Sequence, residues 1–133
     1  MANEAVIITL LGNQGDPVEY TVAAGTPIPK GSLMEFSSSP QTVVISSADG
    51  KFFAGIAATE KTATDGVTKL ACLTHCVAEL KNSAGGTLGQ YQKISGINSI
   101  ADADSDTVAT AGEVVGIGLE TATTGTQAVL INR

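Results

Sequence analysis

With 133 residues and a mass of 13.4 kDa, the chain has room for one domain and one core. Its 43% hydrophobic and 15% charged residues are too apolar for disorder, yet no run approaches the roughly 20 apolar residues of a membrane-spanning helix. A net charge of −6, with a single arginine at Arg133, excludes a phosphate-neutralising surface and makes nucleic acid a poor partner.

The first element is Ala5–Leu11, a continuous apolar run that stops at the loop signal Gly12-Asn13-Gln14-Gly15-Asp16-Pro17. Val18–Val22 alternates, with Val18, Tyr20 and Val22 on one face. In Thr26-Pro27-Ile28-Pro29-Lys30-Gly31 two prolines exclude a helix and favour an extended edge. Leu33–Phe36, Thr42–Ser46 and Phe52–Ala58 read as strands, and Ala48-Asp49-Gly50 reads as a hairpin turn. Val67–Leu80 fits two periods. As a strand, Leu70, Cys72, Thr74, Cys76, Ala78 and Leu80 share a face; as a helix, Val67, Leu70, Ala71, Thr74, Val77 and Ala78 form a stripe that Gly85-Gly86 would end. Leu88–Ser95, Glu113–Glu120 and Gln127–Ile131 complete the strands.

Turn signals recur throughout instead of clustering once, so 1–133 reads as one domain. Roughly eight to ten short strands imply an all-β fold with little helix: a compact β-barrel-like or sandwich domain that limits exposed edges. Gly25–Leu33 and Ala84–Tyr91 each set Gly-Thr before a small-residue turn and a strand, a faint internal echo. The start Met1-Ala2-Asn3-Glu4 lacks the basic region of a secretory signal, and two cysteines do not make a disulfide scaffold.

Two clusters are candidates for metal chemistry. Asp102, Asp104, Asp106 and Glu113 hold positions one, three, five and twelve of an EF-hand-like loop. However, Thr107 stands where the sharp turn wants glycine, and the segment after Glu113 reads as a strand instead of an exiting helix. A solvated acidic loop between strands explains the same residues. Cys72, His75 and Cys76 are one ligand short of a tetrahedral zinc site. In a strand, Cys72 and Cys76 would lie about 13 Å apart, too far to ligate together or cross-link, whereas a helix would bring the thiols near a shared ion. Buried cysteines acting as small hydrophobes are the plainer reading. His75 is the only histidine, no Gly-x-Ser-x-Gly elbow surrounds a serine, and Gly112–Gly118 lacks the glycine spacing and lysine of a P-loop. Gly116 and Gly118 alternate with Val115, Ile117 and Leu119, as glycines do where they clear a sheet face for close packing. No catalytic, cofactor-binding or metal residues are assigned.

Several phrases carry a resemblance by their order and spacing. They are Met1-Ala2-Asn3-Glu4-Ala5, Val18-Glu19-Tyr20-Thr21-Val22 leading into Ile28-Pro29-Lys30-Gly31-Ser32-Leu33, and Ser46-Ser47-Ala48-Asp49-Gly50 followed by Phe53-Ala54-Gly55-Ile56-Ala57. Thr74-His75, Gly112-Glu113-Val114-Val115-Gly116 and Leu119-Glu120-Thr121-Ala122 complete them. In this order the chain resembles the small capsid cement, or head decoration, proteins of tailed phages. It departs at Cys76, where a glycine is expected after Thr-His. The resemblance implies a β-barrel-like domain, tips Val67–Leu80 towards strand, and carries no catalytic residues. It further implies homotrimers on the outer surface of the virion capsid, tying capsomers of the major capsid protein together after the head expands.

An acidic protein without catalytic groups or cofactor suits that role. Residues 1–17 are the candidate docking arm, able to add a strand to a capsid-protein sheet edge; equally, Ala5–Leu11 is simply the first barrel strand. The alternative function is a non-catalytic β-barrel binding module of a fibre, a pilus or a glycan-binding protein.

Overall fold

The computed structural model describes residues 3–10, 17–104, 111–122 and 125–132. Eleven strands follow in chain order: β1 (Val6–Leu10), β2 (Val18–Thr21), β3 (Leu33–Phe36), β4 (Val43–Ile45), β5 (Phe53–Ala57), β6 (Lys69–Leu73), β7 (His75–Lys81), β8 (Tyr91–Gly96), β9 (Ser99–Asp102), β10 (Val114–Gly118) and β11 (Thr126–Asn132). Among the described residues one 3-10 turn, Ala111–Glu113, precedes β10, and there is no α-helix. The fold is all-β.

The strands form two sheets. One has the order β1-β7-β11-β10-β8-β9, the other β2-β6-β5-β3-β4. Each curls back on itself and is closed by one residue pair. In the first sheet Lys81 pairs with Ser99, joining β7 to β9. In the second a bridge joins Thr21 of β2 to Thr42, the residue before β4. Curling leaves few open edges, which is what the strand count and turn density imply. The outer edge of β1 is an exception: among the described residues no strand pairs with it.

Each sheet encloses its own core. Cys76, Ala78, Leu80, Ile94, Ile100, Val115, Val129 and Ile131 fill the first. Val22, Ile28, Met34, Val43, Ala54, Ala57, Leu70 and Cys72 fill the second. β3 and β5 form the wall between them. Leu33, Phe53 and Ile56 point into the first core, while Met34, Ala54 and Ala57 point into the second. A strand covered on both faces must be apolar throughout, and all five residues of β5 are buried. This is why Phe52–Ala58 reads as an unbroken apolar run.

Val67–Leu80 is strand, not helix. It breaks at Thr74, where the chain leaves the second sheet (β6) and enters the first (β7). Leu70 and Cys72 are buried before the break, Cys76, Ala78 and Leu80 after it, so the period of two survives the crossing. A buried staple holds the sheets together. The Leu33 N–H donates to Asn98 Oδ1 at 2.8 Å, the Asn98 N–H to Ser46 Oγ at 2.8 Å, and the Ser46 hydroxyl to the Gly96 carbonyl at 2.8 Å. Asn98 adopts φ +50°, a left-handed conformation that asparagine tolerates in a tight turn.

Three other expectations need correction. The Ala48-Asp49-Gly50 turn does not make a hairpin, because β4 and β5 lie on opposite sides of β3. Gly50 does take a turn conformation, at φ +81°. The strand expected at Leu88–Ser95 begins only at Tyr91, since residues 86–90 form a fastened turn. β9 was not anticipated and raises the count to eleven. The two arms of the internal echo lead into β3 and β8, which lie in different sheets. The reading of Gly116 holds, because a Cβ there would overlap the Leu130 carbonyl of the neighbouring strand. Ile28 bridges Lys61 as an isolated pair, the extended edge that the flanking prolines require.

Candidate docking surface

Among the described residues neither metal candidate assembles three ligands. Asp102 is committed within the fold: it accepts from the Thr87 N–H at 2.9 Å, the Thr87 hydroxyl at 2.8 Å and Gln92 Nε2 at 2.8 Å. Burial raises its pKa, but the Thr87 N–H, the Gln92 amide and the Thr87 hydroxyl outweigh it, and the carboxyl ends below its ordinary value. Asp104 pairs with Lys93 at 3.4 Å, beside an Asp49–Lys93 pair at 3.0 Å. Asp106 and Thr107 lie outside the described residues. Among the described residues no group of three His, Cys, Asp or Glu side chains is placed to hold a metal ion.

Cys72 and Cys76 lie fully buried in different cores, so the shared-ion geometry that a helix would have allowed does not arise. Burial pushes the Cys72 thiol up to about 12 and raises that of Cys76. Both are free thiols. His75 opens β7 half-buried, opposite Asn132 of β11.

What the fold does assemble is an apolar outer face. On β7 and β11 inward and outward residues alternate, leaving Val77 and Leu130 on the outside. The ladder sets Val77 opposite Leu130, Leu130 opposite Ile117, and Ile117 opposite Tyr91. Four strands thus carry one uncharged row across the sheet. Tyr91 is 44% exposed and Ile117 37%. Leu119 (43%) lies two residues beyond Ile117 beside the row, its N–H bonded to Ala128 of β11, and Leu88 (59%) lies close by. Isolated exposed hydrophobics are ordinary, whereas a contiguous set marks an interaction surface.

The Leu88 end is fastened by hydrogen bonds. Besides the Asp102–Thr87 bonds, Gly89 N–H donates to the Gly118 carbonyl at 2.8 Å, and Ala122 N–H to that of Gly86 at 2.8 Å. Below the turn lies a buried amide cluster. Asn82 Nδ2 donates to Gln92 Oε1 at 3.0 Å and to Gln127 Oε1 at 2.9 Å, and Gln127 Nε2 donates to the Glu120 carbonyl at 2.8 Å. An exposed leucine on a pre-fastened turn loses little entropy on being covered. Sequence reading missed this surface, because it depends on which strands become cross-strand neighbours.

The N-terminal segment supplies a second feature. Ala5 is buried and its N–H donates to the Gly31 carbonyl at 2.6 Å, while β1 pairs with β7 from Val6↔Glu79 to Leu10↔Cys76. Ile7 packs on the first core, and Val6 (60%) and Ile8 (51%) are exposed beside the open edge. A pocket of about 300 Å³ lies between Asn3, Glu4 and Val6 on one side and Glu79, Lys81 and Thr126 on the other.

No protein-family model and no curated protein matches the chain. Among solved structures, it is similar to the N base of head fiber gp8.5 in bacteriophage phi29, with a TM-score of 0.56 and 16% identity. The match covers 86% of this chain and 93% of that one. The two share a fold.

Proposed function

We propose that this chain is a structural protein of a tailed-phage virion, bound to the outer surface of the expanded head through the major capsid protein. The observation that carries the reading is the fold shared with a phage head-fiber base over 86% of the chain. The sequence resemblance to head decoration proteins supports the same location independently. In this reading the protein acts as a homotrimeric cement, clamping neighbouring capsomers non-covalently. Three modest contacts held in one assembly then act as one strong contact. The role needs no catalytic residue and no cofactor.

Residues 1–17 are the proposed shell contact. With β1 held in the sheet, its outer edge can accept a strand from the capsid protein, main-chain hydrogen bonds supplying affinity. A lysine on an edge strand discourages such pairing. Val6→Lys therefore weakens shell binding while leaving the fold intact, because Val6 is 60% exposed.

The similarity to a fiber base favours a second reading, in which the domain anchors an appendage instead of cementing the shell. One assay separates the two. Heads lacking the protein are heated with and without added protein, and DNA release is followed by dye access. Cement raises the release temperature. A fiber base binds without moving it, and failure to bind heads at all overturns both readings.

A further inference from the structure

We infer that the row Val77–Leu130–Ile117–Tyr91, with Leu119 and Leu88, is the face through which copies of this chain bind one another. The size fits. Leu88, Tyr91, Ile117 and Leu119 are each 37–59% exposed, and with the half-buried Val77 and Leu130 they make a contiguous patch on the order of a few hundred Å². A specific interface buries about 800 Å² per partner, of which about 56–65% is apolar. The patch therefore supplies a large part of the apolar share of one standard interface.

The charges fit a second copy better than a partner of one sign. Copies of a chain with net charge −6 repel, so self-association needs a face without unbalanced charge. The row itself is uncharged. Glu79 and Lys81 stand beside it on the outward side of β7, opposite Ala128 and Thr126 of β11. Neither is ion-paired with another described residue. When identical faces gather round a symmetry axis, Glu79 of one copy can meet Lys81 of the next, and each copy brings both halves of the pair. Lys93 at the other side is already neutralised by Asp49 and Asp104.

This inference rests on the proposed function only for the number of copies, three. Its test needs no shells, so its failure and that of head attachment are distinguishable. The full chain is measured by light scattering and sedimentation equilibrium at up to about 100 µM, where a micromolar association is saturated. The expected mass is near three times the 13.4 kDa of one chain. Ile117→Asp, at an exposed position, leaves the far-UV circular dichroism unchanged and weakens association at least about 30-fold, as loss of an interface hot spot does. Glu79→Lys also weakens it, and Glu79→Lys combined with Lys81→Glu restores it. A monomeric wild type overturns the inference, as does an Ile117→Asp protein with wild-type mass. Should Ile117→Asp lose shell binding while self-association is intact, the face belongs to the capsid partner and the inference also fails.

Discussion

Gly86→Ala is a small change with a large expected cost. Gly86 does not adopt a left-handed conformation, so alanine meets no backbone strain there and gains about 0.4–1 kcal/mol from a less flexible unfolded chain. Space decides the outcome. A Cβ at this position would overlap Asn82 Nδ2 and Gln127 Oε1, the two atoms of a hydrogen bond in the buried amide cluster. Asn82, Gln92 and Gln127 are each 0% exposed, so water cannot replace a bond that is pushed apart. Overpacking costs about 1–3 kcal/mol, and each buried group left unsatisfied costs about 1–3 kcal/mol more. The net loss is about 3 kcal/mol, or roughly 10 °C in Tm for a domain of this size. Urea unfolding and calorimetry measure it, with Gly25→Ala as control, because nothing lies within 4 Å of a Cβ there. A Gly86→Ala protein within about 0.5 kcal/mol of wild type would show that the amides tolerate displacement, contrary to the bonds that Asn82 Nδ2 makes to Gln92 and Gln127.

Three other outcomes are expected. The native thiols of Cys72 and Cys76 resist iodoacetamide at pH 8 and react once the chain unfolds, as mass spectrometry reports. Because the Cys72 pKa rises from 9.0 to about 12 on folding, the unfolded chain binds fewer protons between those values. Stability therefore falls as pH rises through that window, and less steeply in Cys72→Ala when each protein is referred to its own value at pH 8. Asp102 shifts the other way: its folded pKa lies below 3.8, so its contribution is present above that value and disappears as pH falls through the folded pKa. Asp102→Asn accordingly flattens the acid limb of the stability profile, measured by chemical denaturation at a series of pH values. Lys61→Ala costs about 2–4 kcal/mol by denaturation, since its buried ammonium donates to the carbonyls of Ala24 and Thr62 and faces Asp65 at 3.8 Å.

The fold was legible where one physical constraint dominated. Leu33–Phe36 and Phe52–Ala58 read correctly as strands because burial on both faces admits few polar residues, and β3 carries its buried Glu35 only by bonding it to Ser47. Val67–Leu80 was ambiguous because Ala71, Thr74 and Ala78 are small enough to satisfy either period. The crossing at Thr74 leaves no glycine or proline to mark it. The Asp49-Gly50 turn misled because turn chemistry fixes a reversal of the chain, not which strand receives it. β9 escaped notice because only Ile100 of its four residues is buried. The outer row was illegible for a related reason. Tyr91, Ile117 and Leu130 lie 13 to 39 residues apart and become neighbours only through the β8-β10-β11 order. The acidic loop displayed a ligand spacing, but Asp102 is spent on Thr87 and Gln92, partners that no spacing rule identifies.

Co-sedimentation of the purified chain with unexpanded and expanded shells of the phage that encodes it tests head attachment most directly. The account predicts saturable binding to expanded shells alone, near one trimer per local three-fold position. Absence of binding to either form would contradict it and leave a β-barrel binding module whose ligand lies elsewhere.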